Sequence, residues 1–261
     1  MARASRHLTL AASIATLLAG HGVAQVPVGD TSRKPPIDTT QRRLSIDPLL
    51  LKAGAFVYDM SLERDASTTP LGSRTMSAAT VPYAGSPAWL LLETRVGDRI
   101  AATDSLFVDP SLHPLHWTAL LGQARLAAEF RGDSAYGATS GPPGRRSIVM
   151  VVRPRTIVSG AMLESILRIA PIQVGWEDTV ATLSVSLTGA SVSPTRMYVV
   201  GEDRVVVPAG TFDCWVVGVQ SEGSKGLYWV TKRDPIVVRS TLDVPALGGA
   251  QLVSALSRIA R

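Results

Sequence analysis

The feature that most constrains this chain is a two-residue rhythm repeated along most of its length. In "AFVYDMSLER", Phe56, Tyr58, Met60 and Leu62 share one parity, and Asp59, Ser61 and Glu63 the other. "ARLAAEFR" sets Ala124, Leu126, Ala128 and Phe130 against Arg125, Glu129 and Arg131, and "TLSVSLTG" alternates in the same way. Successive side chains of a strand point to opposite faces, so each stretch predicts a half-buried strand. "AWLLLETR", "DSLFVD" and "SIVMVV" are further apolar runs of strand length. The segments between them are short and contain glycine, which predicts a meander of antiparallel hairpins.

One segment breaks the rhythm. In "SGAMLESILRIAP", Met162, Leu163, Ile166, Leu167 and Ala170 recur at helical spacing, with Ser159 placed to cap the start and Pro171 to stop continuation. A single helix over Gly160 to Ala170, among strands, predicts a mainly β domain: an antiparallel curved sheet, or half-barrel, with one helix packed on its concave face. "GATSGPPGRR", residues 137–146, reads as a mobile loop, and Arg42-Arg43 and Arg145-Arg146 as solvated loop charge.

The chain opens "MARASRHLTLAASIATLLAGHGVAQ". Arg3 and Arg6 make a basic start, Leu8 to Ala19 a short apolar run, and Gly22-Val23-Ala24 the small residues that a signal peptidase reads. Residues 1–24 are expected to be a secretory signal, 25–46 a flexible polar leader, and 47–261 a single β-rich domain. The apolar run is shorter than the ~20 residues a transmembrane helix needs, so the mature chain is not expected to span a membrane. A secreted, periplasmic location follows. Cleavage takes away Arg3 and Arg6 and no acidic residue, so the formal net charge of +5 falls by two. A balance this close to neutral, with scattered arginines, gives no reason to expect a nucleic-acid partner.

The stretch "RVVVPAGTFDCWVVGVQ" contains the one cysteine, Cys214. Pro208, Ala209 and Gly210 suit a turn, and "TFDCWVV" a returning strand with Phe212, Cys214 and Val216 on one face. Cys214 is therefore expected to be a packed thiol and not a nucleophile.

Over "VVGEDRVVVPAGTFDCWVV" and "GLYWVTKRDPIVVRS" the chain resembles a family of exported bacterial proteins of unknown function, with looser likeness in "GAFVYDMSLE" and "DSLFVDPSLHPLHW". That resemblance implies a curved β half-barrel similar to the periplasmic carriers of lipoproteins. It carries no functional residues.

Motifs for chemistry are sparse. There is no G-x-S-x-G, H-E-x-x-H, C-x-x-C or phosphate-binding G-x-x-x-x-G-K. His113 and His116, in "SLHPLHW", are weak candidate metal ligands. Pro110 and Pro114 oppose a helix there, and residues three apart on an extended segment face opposite ways. No cofactor is expected. The richer signal is apolar: Phe56, Tyr58, Met60, Trp89, Trp117, Phe212 and Trp229 could line a hollow beneath the helix. The leading expectation is a non-catalytic binding or carrier module for an apolar or lipidic ligand or a cell-envelope partner. The alternatives are a structural interaction domain with a filled core, and a hydrolase using surface carboxylates or the His113/His116 pair.

Overall fold

Two-residue turns join β1 (Gly54–Arg64) to β2 (Ser67–Tyr83) and β2 to β3 (Ser86–Gly97), and the chain continues through β4 (Ile100–Val108), β5 (Pro114–Leu121), β6 (Ala124–Arg131), β7 (Ser134–Gly141) and β8 (Gly144–Val151). At the β2–β3 turn both Ala84 and Gly85 have positive φ, which twists the turn in the sense the strands require. The computed structural model describes residues 46–98, 100–142, 144–152, 156–185 and 190–260. The expected signal peptide and nearly all of the expected leader lie outside these residues.

After β8 the chain crosses to the far side of the sheet. On the way it forms α1 (Gly160–Leu167) and then runs a second meander through β9 (Glu177–Val185), β10 (Ala190–Val207), β11 (Gly210–Ser221), β12 (Ser224–Thr231), β13 (Val237–Val244) and β14 (Ala250–Ala260). β14 pairs antiparallel with β1, so the two meanders join into one open sheet of 14 strands with β8 and β9 at its edges. The sheet bends strongly enough for its edges to approach at one end. Val152 leaves β8 by donating to Asp133 O, and Ile157 already pairs with β9, donating to Ala181 O and accepting from Leu183. The chain between Val152 and Ile157 can span no more than ~18 Å.

Ser159 caps α1 as expected, its hydroxyl accepting from Met162 N–H at 3.3 Å. The helix stops at Leu167, three residues before the expected Ala170, and Ile169 and Ala170 both turn back onto Ile166 O in a tightened last turn. Residues 137–146 are corrected from loop to hairpin: they form the end of β7 and the start of β8, with Arg145 and Arg146 exposed on β8. The glycine that suggests a loop serves a close approach instead, since a Cβ at Gly137 would lie 2.2 Å from Ala127 O.

Ala161, Met162, Ile166 and Leu167 of α1 pack in one buried cluster with sheet residues that include Phe56, Tyr58, Leu91, Leu106 and Met197. Burying each of the larger helix side chains contributes about 1.5–3 kcal/mol. The "PAG" stretch is the tip of the β10–β11 hairpin. Gly210 takes φ +140, and Ala209 N–H donates to Leu256 O on β14 at 3.0 Å, although β12 and β13 lie between that hairpin and β14 in the sheet. Cys214 has no exposed surface, and burial, then Asp203 and Asp213, push its thiol up to about 11. The stretch is a structural corner.

Candidate functional site

Alternation along β2 turns Arg74, Met76 and Ala78 to the face that carries α1, and along β3 it turns Leu91, Glu93 and Arg95 the same way. The register sets Tyr58 beside Arg74, Arg74 beside Arg95, Met76 beside Glu93, and Glu93 beside Asp104 of β4. Two cations and two acids thus lie as like-charged neighbours across the strands. That arrangement is destabilising unless the diagonal partners pair.

They do pair. Arg74 Nε donates to Glu93 Oε1 at 2.8 Å, and Arg95 Nη2 reaches the same oxygen. The helix supplies a further acid: Arg74 Nη1 donates to Glu164 Oε1 at 2.6 Å. Arg74, Glu93 and Glu164 are 7%, 1% and 4% exposed. The Arg74 guanidinium also lies 5.6 Å from the centre of the Tyr58 ring, and Tyr58 OH donates to Val237 O. Gly160, the first residue of α1, sits directly on this cluster, where a Cβ would come within 3.1 Å of Glu93 Oε2. That oxygen is buried with no hydrogen-bond donor among the described residues.

Burial opposes charge on all of these groups, and their neighbours decide the outcome. For Glu93, Arg74 and then Arg95 outweigh burial and hold the carboxyl at about 2. For Arg74, Glu164 and Glu93 outweigh burial and hold the guanidinium charged. Glu164 is raised, because burial, with repulsion from Glu93 added, prevails over Arg74 and the more distant Arg95. Asp104 is pushed up to about 7 by burial and then by Glu93, although it accepts the Trp117 indole N–H at 2.8 Å. Tyr228 shares this face through the Tyr228–Ser240, Ser240–Ser254 and Ser254–Met60 pairs, and its hydroxyl is raised by burial and then by Glu164. An acid near 7 beside an ionised carboxylate would suit proton transfer in an open cleft. Here Glu93 is buried beneath Gly160 of α1 and Arg74 is paired with Glu164, so the arrangement holds a helix.

The seven aromatic and apolar candidates divide between the two faces. Phe56, Tyr58, Met60, Trp89 and Trp117 share the face of Arg74 and Glu93 through their registers with β2 to β5. Trp229 is adjacent in sequence to Tyr228 and so points the other way, and Phe212 shares its face through the Val216–Trp229 pair. Trp229 donates its indole N–H to Asp203 at 2.9 Å and lies under Arg239. A single hollow lined by all seven is therefore not what the chain builds. A shallow groove of about 340 Å³ lies between β1 and the β10–β11 tip, with Asp59, Met60, Glu63, Pro208 and Arg239 in its walls, so that Met60 alone of the seven lines it.

His113 and His116 have separate partners. Asp109 closes the β4–β5 turn, its Oδ1 accepting from the backbone N–H groups of Ser111 and His113 while Oδ2 lies 3.2 Å from His113 Nδ1. His116 Nδ1 lies 2.7 Å from Glu129 Oε1 on the outer face, beside the rings of Tyr83 and Phe107. Among the described residues no group of three or more His, Cys, Asp or Glu side chains is arranged to hold a metal. No described helix is long and apolar enough to cross a membrane.

Reading for motifs misses Arg74, Glu93, Arg95, Asp104 and Glu164. The signal available was parity: Glu93 and Arg95 continue the inward parity of Leu91, and Glu164 falls within the apolar helix segment.

The fold and site define a class: an open antiparallel sheet curled around one short helix that is seated on buried ion pairs. The chain belongs to a family described as protein of unknown function (DUF3108), whose model matches residues 57–249. Two solved structures are similar to it. One is a protein assigned as exported, with a YmcC-like fold, from Bacteroides fragilis NCTC 9343; it is 9% identical over 79% of this chain and 95% of that chain, with a TM-score of 0.34. The other is a protein assigned as a lipoprotein from Parabacteroides distasonis ATCC 8503, 11% identical over 80% and 96% of the two chains, with a TM-score of 0.29. No curated protein matches the chain.

Proposed function

We propose that this protein is a secreted, periplasmic, non-catalytic binding or carrier module for an apolar or lipidic molecule, and that α1 occupies the place the ligand takes. The observation that carries this reading is the Arg74–Glu93–Glu164 cluster at the helix–sheet boundary. A buried ion pair adds little net stability over an apolar contact, because desolvation offsets most of the attraction. It does specify one seating. Charges at this boundary therefore suit an element that leaves and returns to the same register better than one that only fills a core.

The helix is built for that behaviour. It has eight residues, too few to be stable in isolation, so its helical state depends on its seat. With α1 withdrawn, Phe56, Tyr58, Met60, Trp89 and Trp117 would meet the ligand, whereas Phe212 and Trp229 would not. The test is native mass spectrometry of the protein purified gently from its own envelope. A co-purifying lipid supports the reading. A clean apo mass under several purification conditions, with no uptake of added lipid, rules it out in favour of an interaction domain with a filled core.

A further inference from the structure

Glu164 is the only member of the inner-face ion cluster that does not come from the sheet. Glu93 has two guanidinium partners from the sheet itself, Arg74 and Arg95. Glu164 is held by Arg74 alone among the cluster's cations. If α1 withdraws, two arginines remain beside one ionised carboxylate. Asp104, the next acid along the row, is raised by burial and then by Glu93, and accepts from Trp117. Arg74 is thus left without the carboxylate that Glu164 supplies, in an apolar surround of Met76, Leu91, Leu106 and Trp117.

We propose that Glu164 is an internal stand-in for a ligand head group, and that the ligand is an acyl chain ending in a single carboxylate, which replaces Glu164 on Arg74. The inference rests on the carrier reading above and names the ligand class for it. A guanidinium presents a planar fork of donors matched to a carboxylate, and the Glu164 contact shows that one fits at this position. A second, independent feature marks the spot. Glu93 Oε2 is buried, has no donor among the described residues, and faces Gly160 at the start of α1. A permanent core element would be expected to serve that oxygen, as buried polar groups nearly always find a partner. Withdrawal of α1 opens it to water.

The competition predicts a measurable consequence. A ligand that binds one conformation has its apparent affinity lowered by the fraction of protein in that conformation, so weakening the Glu164 latch should tighten binding by ~10-fold. Isothermal titration of the full mature chain with dodecanoate and with dodecan-1-ol, both below their aggregation limits, reads the head-group preference without any variant. The same titrations on Glu164→Gln, checked by circular dichroism for a native spectrum, read the latch. Tighter binding of dodecanoate than of the alcohol, with both strengthened about tenfold in Glu164→Gln, is the expected result. Equal binding of acid and alcohol, or an unchanged dodecanoate affinity in the variant, overturns the head-group assignment and leaves the carrier reading standing. No binding of either amphiphile by either protein overturns both.

Discussion

Replacing Arg74 with methionine removes the guanidinium that Glu93 and Glu164 share. Glu93 keeps Arg95, but Glu164, 4% exposed, is left as a buried carboxylate without its ion partner. Breaking a buried pair by deleting one member typically costs about 3–5 kcal/mol. For a domain of this size each kcal/mol lowers Tm by about 2–4 °C, so Arg74→Met should melt roughly 10 °C below wild type at pH 8. Burial already raises Glu164 with Arg74 present, and without it the folded carboxyl rises further above its unfolded value near 4.3. The folded variant then binds a proton that the unfolded chain does not, in the window from about pH 4.3 up to that raised value. Its stability, relative to wild type, is therefore recovered on acidification and lost as pH rises. Urea unfolding followed by tryptophan fluorescence at pH 5 and pH 8 measures both quantities. Adding Glu164→Leu to Arg74→Met should restore most of the loss at pH 8, since no unpaired helix carboxylate remains. A deficit below about 1 kcal/mol, or one equal at the two pH values, would refute the claim that these charges are desolvated and paired.

Asp104→Asn tests the neighbouring acid. Its carboxyl is raised to about 7, so its ionisation destabilises the fold as pH climbs from about 4 through 7. The amide should leave stability unchanged at pH 4 and raise it at pH 8 by at most about 4 kcal/mol, seen as a pH-dependent gain in urea midpoint. Cys214 should react with a thiol reagent at pH 8 only as fast as the protein opens, because the side chain is buried and only ~0.1% of it would be thiolate; rapid labelling of the folded protein would contradict its placement. Gly72→Ala should be strongly destabilising, by ~2–4 kcal/mol. Gly72 holds φ +122 at a register shift, and a Cβ there would lie 2.1 Å from Val96 O, so a chemical melt close to wild type would show that the β2–β3 approach is looser than described.

Much of the fold is legible in the chain because strand and helix periods are local. The parity of Phe56, Tyr58 and Met60, the capped start at Ser159, and the corner at Pro208 to Gly210 depend only on near neighbours and are found where the pattern puts them. Local patterns mislead where composition has a tertiary reason. Gly137 and Pro142 read as loop, yet the glycine is there because Ala127 and Ala128 of β6 press against it. Parity also says which side chains share a face within a strand without saying which face of the sheet will carry α1, so it does not separate Phe212 and Trp229 from the residues on the opposite side. The ion cluster lies furthest from sequence reasoning. Arg74, Glu93, Asp104 and Glu164 each read as an ordinary polar residue. Only the register of β2, β3 and β4 sets the first three together, and only the crossover from β8 to β9 lays Glu164 upon them. The sequence by itself determined the elements, through short-range sterics and the burial of one face. Tertiary structure alone decided which charges lose water together, because that depends on register and chain reversal across 90 residues between Arg74 and Glu164.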